Sequence, residues 1–295
     1  MELEKSISVE LVEQPIIYPG FPPGHFYSPV VDIADAKANA DRIWPVMPLV
    51  RGVDFNDVNH QELLSRAFPA FIKDYDYPEM LEETPELNRF FTRNSQFSWL
   101  DARTLFVLLR LLKPKRLVEI GSGFSSLLTA DVNHRFLADT MHFSCIEPYP
   151  RAFLTQPLPG LNELLVTKVE ALDPVYFDQL ASGDVLFIDS SHVSKTGSDV
   201  NYLLFDILPR LRRGVLVHIH DIFLPHDYPQ SWVLDDYRSW NEQYLVRALL
   251  MYSSAFRVVF GCSYAHYRYP NLVEQALSLP AGKGYGGGSL WIERL

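Results

Sequence analysis

Cysteine is scarce in this chain, with Cys145 and Cys262 the two examples among 295 residues. Two cysteines are too few for the disulfide framework that stabilises small secreted proteins, so that class is excluded. Both lie in apolar, strand-like stretches ("HFSCIEP" and "VVFGCSY"), which predicts two buried thiols. This usage is typical of a protein that folds in a reducing cytoplasm.

Basic residues are also too few to balance the acidic ones. Lys and Arg number 26 against 36 Asp and Glu, a formal net charge of −10. Because non-specific nucleic-acid binding depends on neutralising phosphates with Lys and Arg, we expect no nucleic-acid partner. No apolar run approaches the ~20 residues that cross a bilayer, and residues 1–15 lack the apolar core of a signal peptide. We therefore predict a cytoplasmic protein with no membrane partner, which acts on a small molecule.

The chain changes character near residue 95. Residues 1–95 are rich in proline and aromatic residues, which predicts an N-terminal cap of helix and loop that could serve as a homodimer surface. In residues 96–295 short apolar strands alternate with helices, the pattern of an α/β fold whose parallel sheet is covered on both faces. Ligands of such sheets bind beyond the carboxyl ends of the strands. The residues at those strand ends are therefore the candidates for function.

The first strand end is the turn in "VEIGSGFSS", where Gly121 and Gly123 follow a strand and precede a helix. Glycines there permit a tight turn and bring a ligand close to the backbone and to the helix N-terminus. A dinucleotide-binding turn would have a third glycine where this chain has Ser126. The second strand ends at Glu147 in "CIEPYP", and an acid at that point can accept hydrogen bonds from both hydroxyls of a ribose.

The third and fourth strand ends extend this pattern. The third strand, predicted near residues 163–171, ends in "VEAL", which could place Glu170 and Ala171 beside an adenine ring. The fourth strand ends in "FIDSSH" and puts Asp189 and His192 on the same rim. Polar residues at successive strand ends indicate a binding site.

The fifth strand ends in "VLVHIHD", two imidazoles and a carboxylate. Because side chains alternate across a strand, His218 and His220 share one face and Asp221 takes the other. His218 lies two residues deeper, so we expect it to be a hydrogen-bonded core residue. His220 and Asp221 are expected at the rim beside His192.

Four stretches of the chain together resemble bacterial class I methyltransferases that use S-adenosylmethionine. They are "EIGSGFSSLL", "CIEPYP", "LFIDSSHV" and "LPRLRRGVLVHIHDIFLPHDYP". The resemblance covers about residues 90–295, and "HFYSP" and "NSQFSWLDA" are similar to members that act on small molecules or saccharides. It implies a Rossmann-like, seven-stranded, mostly parallel sheet whose last strand, in "GSLWIER", is antiparallel. The chain departs from the family at the third glycine of its first motif, which is Ser125 here.

The resemblance also implies S-adenosylmethionine as the cofactor and assigns residues to it. These are Glu119, Gly121, Ser122 and Gly123 for its amino-acid end, Glu147 for its ribose hydroxyls, Glu170 and Ala171 for the adenine, and Asp189 for the methionine part or the incoming acceptor.

Methyl transfer to a hydroxyl needs a group that removes its proton, since an alcohol is a poor nucleophile at neutral pH. An unperturbed imidazole titrates near ~6.5. His192 and His220, with Asp189 beside them, are therefore the predicted catalytic residues. The alternative is a divalent cation such as Mg²⁺ on Asp189, His192 and Asp221, which would lower the pKa of the acceptor hydroxyl.

The segment after the fifth strand is rich in aromatic residues that could form the wall of an acceptor pocket. They are Tyr228, Trp232, Tyr237, Trp240 and Tyr244.

The sequence thus predicts an S-adenosylmethionine-dependent methyltransferase that acts on an oxygen of a small molecule, such as a sugar or natural product. Two alternatives stay open. One is a methyltransferase fold that binds without catalysis, and the other is an NAD-linked Rossmann oxidoreductase, which Ser126 and the seventh strand disfavour.

Overall fold

The computed structural model describes residues 20–278 and 286–295, so the prediction for residues 1–15 lies outside the described residues. One sheet runs through the molecule, and the predicted Rossmann-like α/β architecture is confirmed. Its strands are β1 Arg116–Ile120, β2 His142–Ile146, β3 Glu163–Leu165, β4 Val185–Ile188, β5 Leu216–Ile219, β6 Phe256–Gly261 and β7 Leu290–Arg294.

The order of the strands across the sheet is β3-β2-β1-β4-β5-β7-β6. The predicted antiparallel last strand is confirmed, because β7 runs antiparallel to β5 and β6 while the other neighbours are parallel. From β1 the chain builds outwards first through β2 and β3 and then, on the other side, through β4 and β5. A crevice at the carboxyl end therefore lies between β1 and β4, where such sheets bind ligands.

The register brings the ends of four strands to one level. Ile120 of β1 pairs with Ile146 of β2 and with Ile188 of β4, and Ile188 pairs with Ile219 of β5. All four isoleucines are buried. The residue that follows each of them therefore emerges at the same edge, and these residues are Gly121, Glu147, Asp189 and His220.

Helices cover both faces of the sheet. Alternate β1 side chains enter different hydrophobic clusters: Leu117 packs with the helices Trp99–Leu112 and Phe124–Phe136, and Val118 packs on the opposite face of the sheet. The helices are α1 Ile33–Ala38, α2 Ala40–Ile43, α3 Asp57–Glu62, α4 Phe68–Phe71, α5 Trp99–Leu112, α6 Phe124–Phe136, α7 Asp199–Asn201, α8 Gln230–Leu234, α9 Glu242–Leu250, α10 Cys262–Arg268 and α11 Pro270–Leu277.

One predicted strand is shorter than expected. β3 ends at Leu165, and the chain then forms a single 3₁₀ turn over Val169–Ala171, so "VEAL" is not a strand end. β3 is the edge strand of the sheet, so this region lies at the sheet's edge.

Residues 20–95 contact the sheet domain at several points, and two of these contacts involve α3 and α1. His60 in α3 accepts a hydrogen bond from the backbone N–H of Gly261 at 2.8 Å, which ties α3 to the end of β6. Ala36 of α1 packs into a small apolar cluster with Val233 and Leu234 of α8. The division of the chain at residue 95 stays a prediction.

Candidate active site at the carboxyl ends of the strands

The turn after β1 contains two glycines with different physical roles. Gly121 has a φ of +77°, and a Cβ there would collide with the backbone carbonyl of Asp189, so the turn and the end of β4 can touch only if this residue is glycine. Gly123 has an extended φ of −173°, and a Cβ there would come no closer than 3.8 Å to the side chain of Gln96. The fold does not require glycine at 123, and the space beside it belongs to the cleft.

Two serines at the start of α6, Ser125 and Ser126, support this turn. Ser126 Oγ accepts a hydrogen bond from the N–H of Gly123 at 3.0 Å and so satisfies a backbone donor at the start of α6. Ser125 Oγ donates to Glu119, whose second oxygen lies 3.6 Å from the thiol of Cys145. Neither interaction could be made by glycine.

Glu119 lies beneath the turn and not in the cleft. Its side chain is fully buried, and this burial raises the pKa of the carboxyl to about 8. The structure therefore places Glu119 as a support for the glycine turn, away from the surface that a ligand would touch.

Glu147 extends from the end of β2 into the cleft. One of its oxygens accepts from the backbone N–H of Ser122 at 3.1 Å, and the other accepts from the N–H of Tyr149 at 2.7 Å. These bonds orient the carboxylate and leave lone pairs on both oxygens for further donors. Ser122 Oγ is buried and has no hydrogen-bond partner among the described residues.

A cleft of about 410 Å³ opens beside Glu147. Glu170 lines it, whereas Ala171 is exposed and does not, so the two residues predicted to flank an adenine separate. Lys168, Val169 and Asp189 also line this part of the cleft.

A second part of the cleft, about 610 Å³, continues from Glu147 and Asp189 towards β5. Gln96 and Phe97 form one wall, positioned by Asn94, whose side-chain oxygen accepts from the N–H groups of both. The other residues that line this part include His192, His220, Asp221, Trp232, Arg238 and Trp240.

His192 is surrounded by carboxylates. Its Nδ1 lies 2.9 Å from Glu242 Oε2, and its Nε2 lies 3.3 Å from Asp189 and 3.5 Å from Asp221. Burial opposes the charged imidazole, but the hydrogen bonds to Asp189 and Glu242 raise the pKa of His192 to about 10. The surrounding carboxylates therefore favour the imidazolium form of His192.

His220 is held in the same way from the other side. Its Nδ1 lies 3.3 Å from Asp189 and its Nε2 lies 3.5 Å from Asp101 in α5. Burial opposes its charge, yet the carboxylates of Asp221 and Asp189 raise the pKa of His220 well above the ordinary value. The same Oδ1 atom of Asp189 contacts both imidazoles, which together hold the pKa of that carboxyl below its usual range although burial would raise it.

Asp101 is fixed by the chain that leads into β7. It accepts from the backbone N–H groups of Gly288 and Ser289, at 3.0 and 2.7 Å. A Cβ at Gly287 would collide with this carboxylate, so glycine there lets the backbone approach Asp101.

Two of the rim residues adopt left-handed backbone conformations. His192 has a φ of +61° and Asp221 a φ of +55°, values that are uncommon for residues other than glycine. Such conformations persist where the surrounding contacts fix them and are concentrated at functional sites.

His218 lies below this cluster, and its prediction as a hydrogen-bonded core residue is confirmed. Its Nε2 lies 2.8 Å from Ser289 Oγ, and its ring stacks on Phe187 with centroids 3.7 Å apart. Burial lowers the pKa of His218 well below its ordinary value, so it is neutral.

The predicted metal ligands Asp189, His192 and Asp221 do lie together. Among residues 20–278 and 286–295, however, no group of three His, Cys, Asp or Glu has the arrangement of a metal site. The Nε2 of His192 lies between the two carboxylates, and a metal would need that nitrogen deprotonated.

The sequence did not single out Asp101 or Glu242. Each lies in the first turn of a helix, where an acidic residue is expected for the helix dipole and carries no further signal.

Comparison with known proteins agrees with this geometry. A family model described as a methyltransferase domain matches residues 118–222, from β1 through the end of β5. An uncharacterized protein of Archaeoglobus fulgidus is 36% identical over 170 residues, which are 54% of this chain and 73% of that protein. The chain belongs to the class I S-adenosylmethionine-dependent methyltransferase family. The NAD-linked oxidoreductase alternative is therefore set aside.

Solved structures resemble this methyltransferase more distantly. The methyltransferase PaMTH1 of Podospora anserina, bound to S-adenosylhomocysteine, is 16% identical, with a TM-score of 0.40 over 89% of this chain and 94% of its own. The O-methyltransferase TomG of Streptomyces achromogenes is 18% identical, with a TM-score of 0.38 over 82% and 92%. Family membership rests on the sequence matches and not on these two. Among the described residues of this methyltransferase, no helix is long and apolar enough to cross a membrane.

Proposed function

We propose that this methyltransferase moves a methyl group from S-adenosylmethionine to a hydroxyl oxygen of a small molecule such as a sugar or natural product. The observation that carries the proposal is the position of Asp189. It lines both parts of the cleft, and one of its oxygens contacts both His192 and His220. Asp189 therefore connects the part of the cleft beside Glu147 with the part that contains His192 and His220.

Residues that line the cleft around Glu147 fit the cofactor. Open space at Gly123, the unpaired hydroxyl of Ser122 and the oriented carboxylate of Glu147 offer room, a hydrogen-bonding group and an acceptor for ribose hydroxyls. When bound, S-adenosylmethionine would supply a sulfonium methyl group for in-line displacement.

His192 is the proposed general base. Glu242 is buried, with 1% of its side chain exposed, and accepts the Nδ1 proton of His192, so Nε2 is the nitrogen that can exchange a proton with a ligand in the cleft. To act as a base, His192 must first lose its Nε2 proton. A positively charged ligand nearby favours that loss, because like charges disfavour the imidazolium.

His220 has a different proposed role. Both of its ring nitrogens face carboxylates, Asp189 on one side and Asp101 on the other. It is therefore suited to remain charged and to hold Asp189 in place. Asp189 is the most open of these groups, with 29% of its side chain exposed, and is suited to orient the acceptor hydroxyl.

A divalent cation on Asp189 and Asp221 is the second candidate for activating the hydroxyl. The convergence of the two carboxylates favours it, and it would replace the imidazolium of His192 as their counter-charge.

The experiment is methyl transfer from S-adenosylmethionine to a set of hydroxyl compounds and their amine counterparts, followed by mass spectrometry of products. We expect methyl ethers, and we expect His192→Asn to abolish turnover while S-adenosylhomocysteine still binds. Methylated amines in place of ethers would overturn the oxygen acceptor. Tight binding without turnover on any acceptor would favour a non-catalytic family member.

A further inference from the structure

Arg238 lies against two tryptophans on the acceptor side of the cleft. Its guanidinium carbon is 4.0 Å from the ring centroid of Trp232 and 4.8 Å from that of Trp240. The two indoles are nearly perpendicular, with centroids 5.4 Å apart and an interplanar angle of 78°. Cation–π contacts with two rings restrict the position of the charge.

The backbone around Arg238 is anchored as well. The N–H of Arg238 donates to the carbonyl of Trp232 at 2.9 Å, which closes this loop on itself. Ser239 Oγ accepts from the N–H of Val31 at 3.1 Å, so the N-terminal cap holds the loop from outside. The guanidinium is therefore presented to the cleft by a supported segment, which reduces the ordering needed to bind a ligand.

The charge of Arg238 is not used by the imidazole–carboxylate cluster. Asp189, Asp221 and Glu242 each have His192 as a partner. Arg238 instead forms an ion pair with Asp236 at 3.0 Å, whose side chain is 49% exposed. Such solvent-exposed pairs contribute little, and a guanidinium has five N–H donors, so donors remain for a ligand.

The proposed base and the tryptophan–arginine group are connected. The ring of His192 packs on Trp240 with centroids 4.4 Å apart. Arg238 has 34% of its side chain exposed and His192 has 7%. The arginine therefore lies near the mouth of the pocket and the imidazole lies deeper in it. A ligand whose hydroxyl reaches His192 would extend along Trp240 towards Arg238.

We propose that the methyl acceptor carries an anionic group, a carboxylate or a phosphate, which Arg238 binds at the rim against Trp232 and Trp240. This inference rests on the proposed function and adds the charge of the substrate to it. Arg238 is then a specificity-determining residue, because charge-assisted hydrogen bonds from a planar guanidinium match the geometry of both groups.

The test is calorimetric titration of the protein saturated with S-adenosylhomocysteine, using probes in matched pairs. The carboxylate pair is 3,4-dihydroxybenzoate and its amide, and the phosphate pair is glucose 6-phosphate and glucose, so the two arms separate the two anions. We expect at least one anionic probe to bind about tenfold or more tighter than its neutral partner, the effect of one charge-assisted hydrogen bond. Arg238→Gln should remove the preference and leave the affinity for S-adenosylhomocysteine unchanged, and Arg238→Lys should retain part of it.

Asp236→Asn is the matched control, because it removes the competing carboxylate and should preserve or strengthen the preference. Equal affinity for anionic and neutral probes, a preference that survives in Arg238→Gln, or no binding of either anion at millimolar concentration would each overturn the inference. Failure to bind S-adenosylhomocysteine would instead refute the proposed function first, and this inference with it.

Discussion

His192 and Glu242 form a buried pair in which the imidazole Nδ1 lies 2.9 Å from the carboxylate Oε2. Glu242 comes from α9 and His192 from the loop after β4, so the pair joins a helix to the strand-end rim. A buried carboxylate on Nδ1 fixes the ring orientation and directs Nε2 towards the cleft.

Replacing Glu242 by Gln should reduce kcat by about 10–100-fold, because the base is less well oriented and less basic. Glu242 raises the pKa of His192, so the substitution should lower that pKa. Because the neutral imidazole is the base, the rise of kcat with pH should then move to lower pH in the variant. The pH–rate profile measures this, with the affinity for S-adenosylhomocysteine as the control. An unshifted profile would argue that His192 is not the base.

The two glycines of the β1–α6 turn should respond differently to alanine. Gly121→Ala forces a side chain into the carbonyl of Asp189 at positive φ and should lower the free energy of unfolding by about 2–4 kcal/mol. Gly123→Ala should leave stability almost unchanged and weaken S-adenosylhomocysteine binding, since its Cβ enters the cleft. Denaturant unfolding and calorimetry on both variants test this, and unchanged cofactor affinity in Gly123→Ala would be inconsistent with the proposed cradle.

Burial of Glu119 should make stability fall as the pH rises. The pKa of this carboxyl is about 8 in the folded protein against an ordinary 4.5, so the folded state binds the extra proton between these values. Its contribution is complete below pH 4.5 and is lost as the pH rises to about 8, a change of roughly 3–5 kcal/mol. Glu119→Gln should flatten this decline in unfolding free energy measured from pH 5 to 8, whereas an identical decline in the variant would rule out Glu119 as its source.

Chelation should leave methyl transfer intact if His192 is the base. We expect turnover after EDTA treatment to equal that with added Mg²⁺. Loss of turnover with EDTA and its recovery with Mg²⁺ would assign Asp189 and Asp221 as metal ligands and displace His192 from the mechanism.

The positions that sequence predicts well are those fixed by strand register. Four residues each follow the last residue of a parallel strand: Gly121, Glu147, Asp189 and His220. Because the carboxyl ends of parallel strands meet at one edge of the sheet, these residues are expected to lie close together. The core role of His218 was also predictable, since it lies two residues before His220 on the same face.

The residues that complete the site come from other elements, and local pattern does not reveal them. Asp101 and Glu242 reach the histidines from helices, and Arg238 from an irregular loop, so their proximity depends on tertiary packing. Glu119 and Ala171 were assigned by family resemblance, yet burial under the turn and the early end of β3 keep both out of the cleft. The sequence pattern alone does not distinguish a residue that supports the binding turn from one that would contact the ligand.

We propose that the cleft at the strand ends binds S-adenosylmethionine through Glu147. The most direct test of this proposal is calorimetric titration with S-adenosylhomocysteine of the wild type, of Glu147→Ala, and of Glu163→Ala at the opposite end of the neighbouring strand as the control. We expect micromolar binding by the wild type and the control, and an affinity at least about tenfold lower in Glu147→Ala, since two ribose hydroxyls lose a charged acceptor. No binding by the wild type, or equal binding by all three proteins, would contradict it.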